Sequence, residues 1–395
     1  MVKKAAALFL KERRYLMPTF RRQPLLIERA RGSHVWDSTG RRYLDFVSGL
    51  GVCSVGHANP AVARALADQV SRVWHVSNFY YTRPPVELAE QLSRRSFKGK
   101  VFFSNSGTEA NECAVKLARL WASKTSGGLR HEVITFDNAF HGRTIAMISA
   151  GQKKLQTGFE PMLPGFVEAR FNDLASVKAA IGPRTAAILV EPVQGEGGVH
   201  VATREFLRGL RELCDRHGLL LIFDEVQCGI GRTGRLFAYE HSGVVPDVMA
   251  LAKGLAGGFP IGATIARSAV ADVLTAGTHG STFGGGALAA RCALAVLELL
   301  DEKRLERIQE LGQTALRFLR GLQKSYSFIR DVRGVGLMLG LELDREGAPF
   351  VAKAQERGLL INCTQGNILR LLPPFVLTDR ELDQGLHILK EALIP

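Results

Sequence analysis

No stretch of this 395-residue chain approaches the ~18 consecutive apolar residues of a membrane-spanning helix, so no span and no membrane partner is expected. Lys3 and Lys4 precede only six apolar residues, Ala5 to Leu10, before Lys11 returns, which is short for a secretory leader and carries no cleavage pattern. The six cysteines (53, 113, 214, 228, 292 and 363) contain no C-x-x-C pair, which argues against a zinc ribbon or a thioredoxin-like site. They read as reduced thiols of a cytoplasmic protein. None of the ten histidines pairs with another at metal-ligand spacing. No metal site is therefore expected, and His57 and His141 read as hydrogen-bonding structural residues. Internal repeats and low-complexity segments are absent too. The net charge of +13 has no focus beyond small knots at Lys11 to Arg14 and Arg21 to Arg22, with no interleaved aromatics. It reads as a solvated basic surface, and no nucleic-acid partner is expected.

What is present is a core-forming chain, 46% hydrophobic and 23% charged. Short apolar runs at Val101 to Ser104, Val133 to Phe136, Ala186 to Val190, Leu219 to Phe223 and Val248 to Leu251 alternate with helix-period stretches at Glu109 to Ser123, Arg204 to His217 and Ala287 to Leu300. This alternation predicts an α/β fold with a mainly parallel central sheet and helices on both faces. Near the start, His34 to Tyr43 alternates like a hairpin about a polar turn at Asp37 to Gly40. Beyond about residue 300 come a helix (Arg304 to Lys324), strands within Ile329 to Leu343, a helix near Phe350 to Arg357 and a last helix from Thr378. The two ends are expected to join as one smaller α/β domain, with residues 1–55 and 291–395 flanking a large domain of residues 56–290.

Two of the apolar runs end in single charges, Asp224 and Lys253. Functional groups collect at the carboxyl ends of such strands. A lysine there can hold an aldehyde cofactor as a Schiff base, and an aspartate can keep a pyridine nitrogen protonated. A structural ion pair between the two remains the alternative. Gly107 and Thr108, in Asn105-Ser-Gly-Thr-Glu109, open a helix whose free N–H groups favour an anion, although Ser106 can also be a simple cap. Ser281-Thr-Phe-Gly-Gly-Gly286 offers a second hydroxyl-rich loop. Gly229-Ile-Gly-Arg-Thr-Gly234 matches the dinucleotide pattern G-x-G-x-x-G, but five residues separate it from its strand and no helix follows. Phe140 can stack on a flat ring, and Arg143 can fork onto a carboxylate. Glu196 stands in a glycine-rich loop after a strand. Arg370 is an isolated charge in an apolar stretch and needs a carboxylate partner.

In order, Asn105-Ser-Gly-Thr-Glu-Ala-Asn-Glu112, Phe140-His-Gly-Arg-Thr144, Glu191-Pro-Val-Gln-Gly-Glu-Gly-Gly198, Phe223-Asp-Glu-Val-Gln-Cys-Gly-Ile-Gly-Arg-Thr-Gly234, Leu251-Ala-Lys-Gly254 and His279-Gly-Ser-Thr-Phe-Gly-Gly285 resemble the class III (ornithine-type) aminotransferases of fold type I. The resemblance spans nearly the whole chain. It implies pyridoxal 5'-phosphate, with Lys253 as the Schiff-base lysine, Asp224 at the pyridine nitrogen, Gly107 and Thr108 at the phosphate, Phe140 on the ring and Gln227 near the phenolic oxygen. Thr282 would reach a phosphate across a homodimer interface, so the active sites would be shared. Arg143 is similar to the arginine for the substrate α-carboxylate, Ser281 to a substrate contact, and Glu196 with Arg370 to a carboxylate–arginine switch.

The Ser-Gly-Thr and Phe-His-Gly-Arg versions of these motifs, with Val76 to Thr82 and Asn362 to Gly366, look like the branch of arginine biosynthesis that acts on N2-acetyl-L-ornithine. That branch transfers the δ-amino group to 2-oxoglutarate. Ornithine, succinylornithine, 4-aminobutyrate and a carrier-linked precursor of lysine biosynthesis stay open as alternative substrates. An aminomutase and a non-enzymatic binding protein of the same fold also stay open. Two departures stand out. Gly286-Ala287 replaces the usual Asn-Pro, which is expected to loosen the loop bearing Ser281 and Thr282, and Cys53 stands where the family has Asn.

Overall fold

The computed structural model describes residues 2–394; Met1 and Pro395, the outer ends of the first and last expected segments, lie outside them. The central sheet has seven strands in the order Lys100–Ser104, Gly262–Ala266, Val248–Leu251, Leu220–Asp224, Thr185–Val190, Glu132–Phe136, Phe166–Ala169. The strands from Val248–Leu251 to Phe166–Ala169 pair in parallel. Gly262–Ala266 runs antiparallel to both its neighbours. It and Phe166–Ala169 are the two strands of this sheet that the apolar runs do not announce: the first is made mostly of glycine, alanine and threonine, and the second is a four-residue edge strand that includes Glu168.

Helices start where side-chain oxygens satisfy free N–H groups. Ser106 caps Gly107–Thr125 by accepting from Glu109 N, Thr203 caps Arg204–His217, and Thr378 forms a capping box with Glu381 ahead of Asp379–Ala392. Arg204–His217 stops at Gly218, whose φ of 62° suits a residue without Cβ.

The chain ends meet in two small sheets. Ile27–Arg31, His34–Asp37 and Arg42–Asp45 form an antiparallel meander, and Leu359–Leu360 joins its edge in parallel. Ile329–Val335, Met338–Leu343, Ile368–Leu371 and Asn362–Thr364 form the other. The helix Ala287–Leu299 packs on Pro60–Val70 and Arg83–Arg95, so a division at 290/291 would cut it. We propose that the large unit instead ends near Leu300.

Gly229 to Gly234 is a tight loop, with φ of 83° at both Gly231 and Gly234. Arg232 inside it is buried and donates to Leu337 O (3.0 Å), Pro373 O (2.7 Å) and Ser54 Oγ (2.9 Å). The glycines thus let an arginine clamp three segments together, and only a four-residue 3-10 turn, Ala238–His241, follows in place of the crossover helix that a dinucleotide site needs.

Candidate active site

Register explains why Asp224 and Lys253 converge. Asp224, the last residue of its strand, is level with Ala250 of the adjacent parallel strand, and Lys253 follows three residues later. Both line one cavity of about 440 Å³ at the carboxyl ends of the sheet. They do not pair with each other: Asp224 Oδ2 accepts from His141 Nδ1 (2.7 Å) and Asn111 Nδ2 (2.7 Å), and Lys253 makes no ion pair among the described residues. The ion-pair alternative therefore fails. Burial pushes the Lys253 amine below its ordinary pKa, opposed by Glu196 and reinforced by Arg370. Its φ of 44° is unusual for a residue with a side chain, a local strain of the kind found at functional sites.

The same cavity is lined by Ser106, Gly107 and Thr108 at a helix N-terminus, and by Phe140, Arg143, Glu196 and Gln227. Approach is close on two sides. A Cβ on Gly107 would lie 2.6 Å from Val226 Cγ1, and one on Gly142 would lie 2.0 Å from Thr108 Oγ1. Arg143 stands over Phe140, 5.6 Å from its ring centroid.

Arg370, fully buried, donates through Nη1 to Glu196 Oε1 at 2.7 Å and to Gln227 Oε1 at 3.3 Å. The carboxylate partner expected for this isolated charge is present. Burial disfavours ionised Glu196, but Arg370 outweighs it and holds the carboxyl below its ordinary pKa.

Ser281 and Thr282 lie elsewhere in the chain's surface. Ser281 Oγ accepts from Asn105 Nδ2 (3.3 Å) and Gly284 N (2.9 Å), beside the cavity rather than on its wall. Thr282 lines a separate hollow with Trp74, His75, Tyr80 and Tyr81. Sequence reasoning passed over Asn111, Glu191 and the part His141 plays. His141 is structural as expected, yet what it holds is Asp224. Its place beside Phe140 was the available signal.

The chain is an aminotransferase, and it belongs to class III of these enzymes. It matches the family described as "Aminotransferase class-III" over residues 17–393. It is 48% identical over 385 residues to the acetylornithine aminotransferase of Caldanaerobacter subterraneus subsp. tengcongensis, covering 97% of this chain and 98% of that one. To the acetylornithine aminotransferase of Methanocaldococcus jannaschii it is 47% identical, covering 96% of each. The ornithine aminotransferase structure of Toxoplasma gondii that shows partial occupancy of PLP at its active site superposes with a TM-score of 0.95 at 34% identity, covering 99% of this chain and 94% of that one.

Proposed function

We propose that this chain transfers the δ-amino group of N2-acetyl-L-ornithine to 2-oxoglutarate, giving N-acetyl-L-glutamate 5-semialdehyde and L-glutamate in arginine biosynthesis. The observation that carries the reading is the Glu196–Arg370 pair: Glu196 lines the same cavity as Lys253 and Asp224, and Arg370 is buried behind it at 2.7 Å. An enzyme that alternates an acylated diamino acid with a dicarboxylate needs a positive charge masked for one and available for the other.

The cavity fits pyridoxal 5'-phosphate: it offers an unpaired lysine amine, an anchored carboxylate and a helix N-terminus backed so closely that Gly107 leaves no room for a Cβ. When bound, that cofactor supplies an electron-withdrawing pyridinium ring that stabilises negative charge on the substrate carbon. The N–H groups at Gly107 and Thr108, with the Thr108 hydroxyl, hold its phosphate. Phe140 covers a ring face, Gln227 lies toward the phenolic oxygen, and Asp224 keeps the ring nitrogen protonated. Lys253 Nζ would hold the cofactor's aldehyde, and as a free amine it would carry a proton from the substrate carbon bearing the transferred amine to the carbon of that former aldehyde, a role that its lowered basicity suits.

Arg143 receives the α-carboxylate, and Ser281 adds a substrate contact. Glu196 masks Arg370 while the acylated donor occupies the site and releases it to the distal carboxylate of the acceptor. Thr282, outside its own chain's cavity, serves the phosphate of a second copy, so the enzyme works as a homodimer. We place it in the cytoplasm; among the described residues no helix is long and apolar enough to cross a membrane.

Initial rates with acetylornithine, succinylornithine, ornithine and 4-aminobutyrate, each with and without 2-oxoglutarate, test this reading. The highest kcat/KM is expected for acetylornithine, with strict dependence on the acceptor. A higher value for ornithine would overturn the substrate, and turnover without acceptor would point to an aminomutase.

A further inference from the structure

Glu196 stands between Gly195 and Gly197, in the loop that joins the short strands Val193–Gln194 and His200–Val201. Glycine on both sides leaves the backbone few steric limits of its own, so the place of the carboxylate has to be set from elsewhere. The C-terminal sheet sets it. There Asn362–Thr364 pairs antiparallel with Ile368–Leu371, with Asn362 opposite Arg370, and the turn between them carries Gln365 and Gly366 at φ of 53° and 85°. Thr364 Oγ1 and Gln365 Nε2 both donate to the main-chain carbonyl of Glu196, each at 2.6 Å. Arg370 Nη1 donates to the carboxylate of the same residue at 2.7 Å, and Arg370 Nε to Asn362 Oδ1 at 3.3 Å. One hairpin therefore grips Glu196 by its main chain and by its side chain.

We propose that Thr364 and Gln365 are positioning residues for the alternation of substrates: they fix the main chain of Glu196 to the hairpin that carries Arg370, so that the mask opens by rotation of the Glu196 side chain alone. The inference rests on the reading above, in which Glu196 masks Arg370 for the acylated donor. The orientation of the Gln365 amide follows from its other partner. Lys154 Nζ, which can only donate, lies 2.8 Å from Gln365 Oε1, so Nε2 is the group turned to the Glu196 carbonyl. The far end of the loop is held by the same sheet, where Arg333 donates to Gly198 O through Nε (3.0 Å) and Nη2 (2.8 Å). Arg333 is in turn held by Asp331 at 2.7 Å and Glu342 at 2.6 Å. On an untethered glycine loop the carboxylate would drift from the guanidinium with no dicarboxylate present. Anchored, it is ordered beforehand and returns to the same contact once the acceptor leaves.

The test measures, in the cofactor-loaded enzyme, the second-order rate constants of the half-reactions with acetylornithine and with glutamate, each followed by the absorbance of the cofactor. Thr364→Val combined with Gln365→Met is expected to lower the ratio of acetylornithine to glutamate about tenfold, the scale of two hydrogen bonds lost from one carbonyl. Each single variant should fall between, and the single variants decide the matter if the double one does not fold. Thr364→Ser, which keeps the hydroxyl, is expected to hold the wild-type ratio. In a Glu196→Gln background the two substitutions should leave the ratio where Glu196→Gln alone puts it, because they act through Glu196. An unchanged ratio, a parallel fall for both donors, or the same tenfold fall in the Glu196→Gln background would overturn the proposal while leaving the switch in place. A wild-type ratio in Glu196→Gln alone would instead overturn the underlying reading.

Discussion

Arg370, with no exposed surface, is neutralised by Glu196 across 2.7 Å, and 174 residues of chain separate the two. Its Nη2 has no hydrogen-bond partner among the described residues. In the switch proposed above, a guanidinium left with a free N–H group would accept a second carboxylate once Glu196 moves away.

Glu196→Gln should therefore expose Arg370 to dicarboxylates at all times. Single-turnover measurements are expected to show glutamate and 2-oxoglutarate bound about tenfold more tightly and acetylornithine discriminated against, the scale of one charge-assisted contact. Unchanged preference between the two donors would remove the switch from the mechanism.

Lys253→Ala should leave the fold intact and reduce transamination by a factor of about 10³ or more. Borohydride treatment of the wild type should fix the cofactor at Lys253, and the variant should yield no such adduct. A variant with near-normal turnover would disprove the assignment.

Gly107→Ala should weaken cofactor retention, because the new methyl would sit 2.6 Å and 2.9 Å from the two γ-carbons of Val226 and push the helix start off the phosphate position. We expect at least a tenfold rise in the dissociation constant (~1.4 kcal/mol). Val226→Ala in the same chain should restore much of it. If the double variant is no better than the single one, the crowding explanation is wrong.

His57 Nε2 donates to Asp45 Oδ2 at 2.7 Å, and this bond, then the Cys53 thiol, raise the imidazole to about 10 against the effect of burial. A pKa raised in the folded state stabilises fully below the unfolded value of about 6.5, and the gain disappears as pH rises through the folded value. The wild type should therefore lose roughly 1–2 kcal/mol between neutral and strongly alkaline pH, a figure kept small by solvent screening of a partly exposed pair. His57→Asn should show a flatter stability profile over that window in chemical denaturation. Parallel profiles for the two proteins would contradict the assignment.

Much of this fold is legible from local pattern. The strands ending at Ser104, Phe136, Val190 and Leu251 and the helices Arg204–His217 and Ala287–Leu299 follow from apolar runs and 3.6-residue spacing. These depend on near neighbours in the chain. The strands Gly262–Ala266 and Phe166–Ala169 escape because neither is a run of bulky aliphatic residues, the first being mostly glycine, alanine and threonine and the second a four-residue edge strand with Glu168 in it. The order of residues also sufficed to locate Asp224, Lys253, Gly107 and Thr108, since each stands at the boundary of an element and boundaries are marked by short-range chemistry.

Which boundaries face one another is a different matter. Only the packed sheet sets Asp224 level with Ala250 and so brings Lys253 into the same cavity without an ion pair. Only packing delivers His141 to Asp224 across 83 residues and Arg370 to Glu196, turns the apparent dinucleotide loop into a three-way arginine clamp at Arg232, and leaves Thr282 outside the cavity of its own chain. The residues, and hence the reaction they can perform, belonged to the sequence. Their pairing was decided by long-range burial, which withdraws charged groups from water and leaves them stable only where a distant segment supplies the partner.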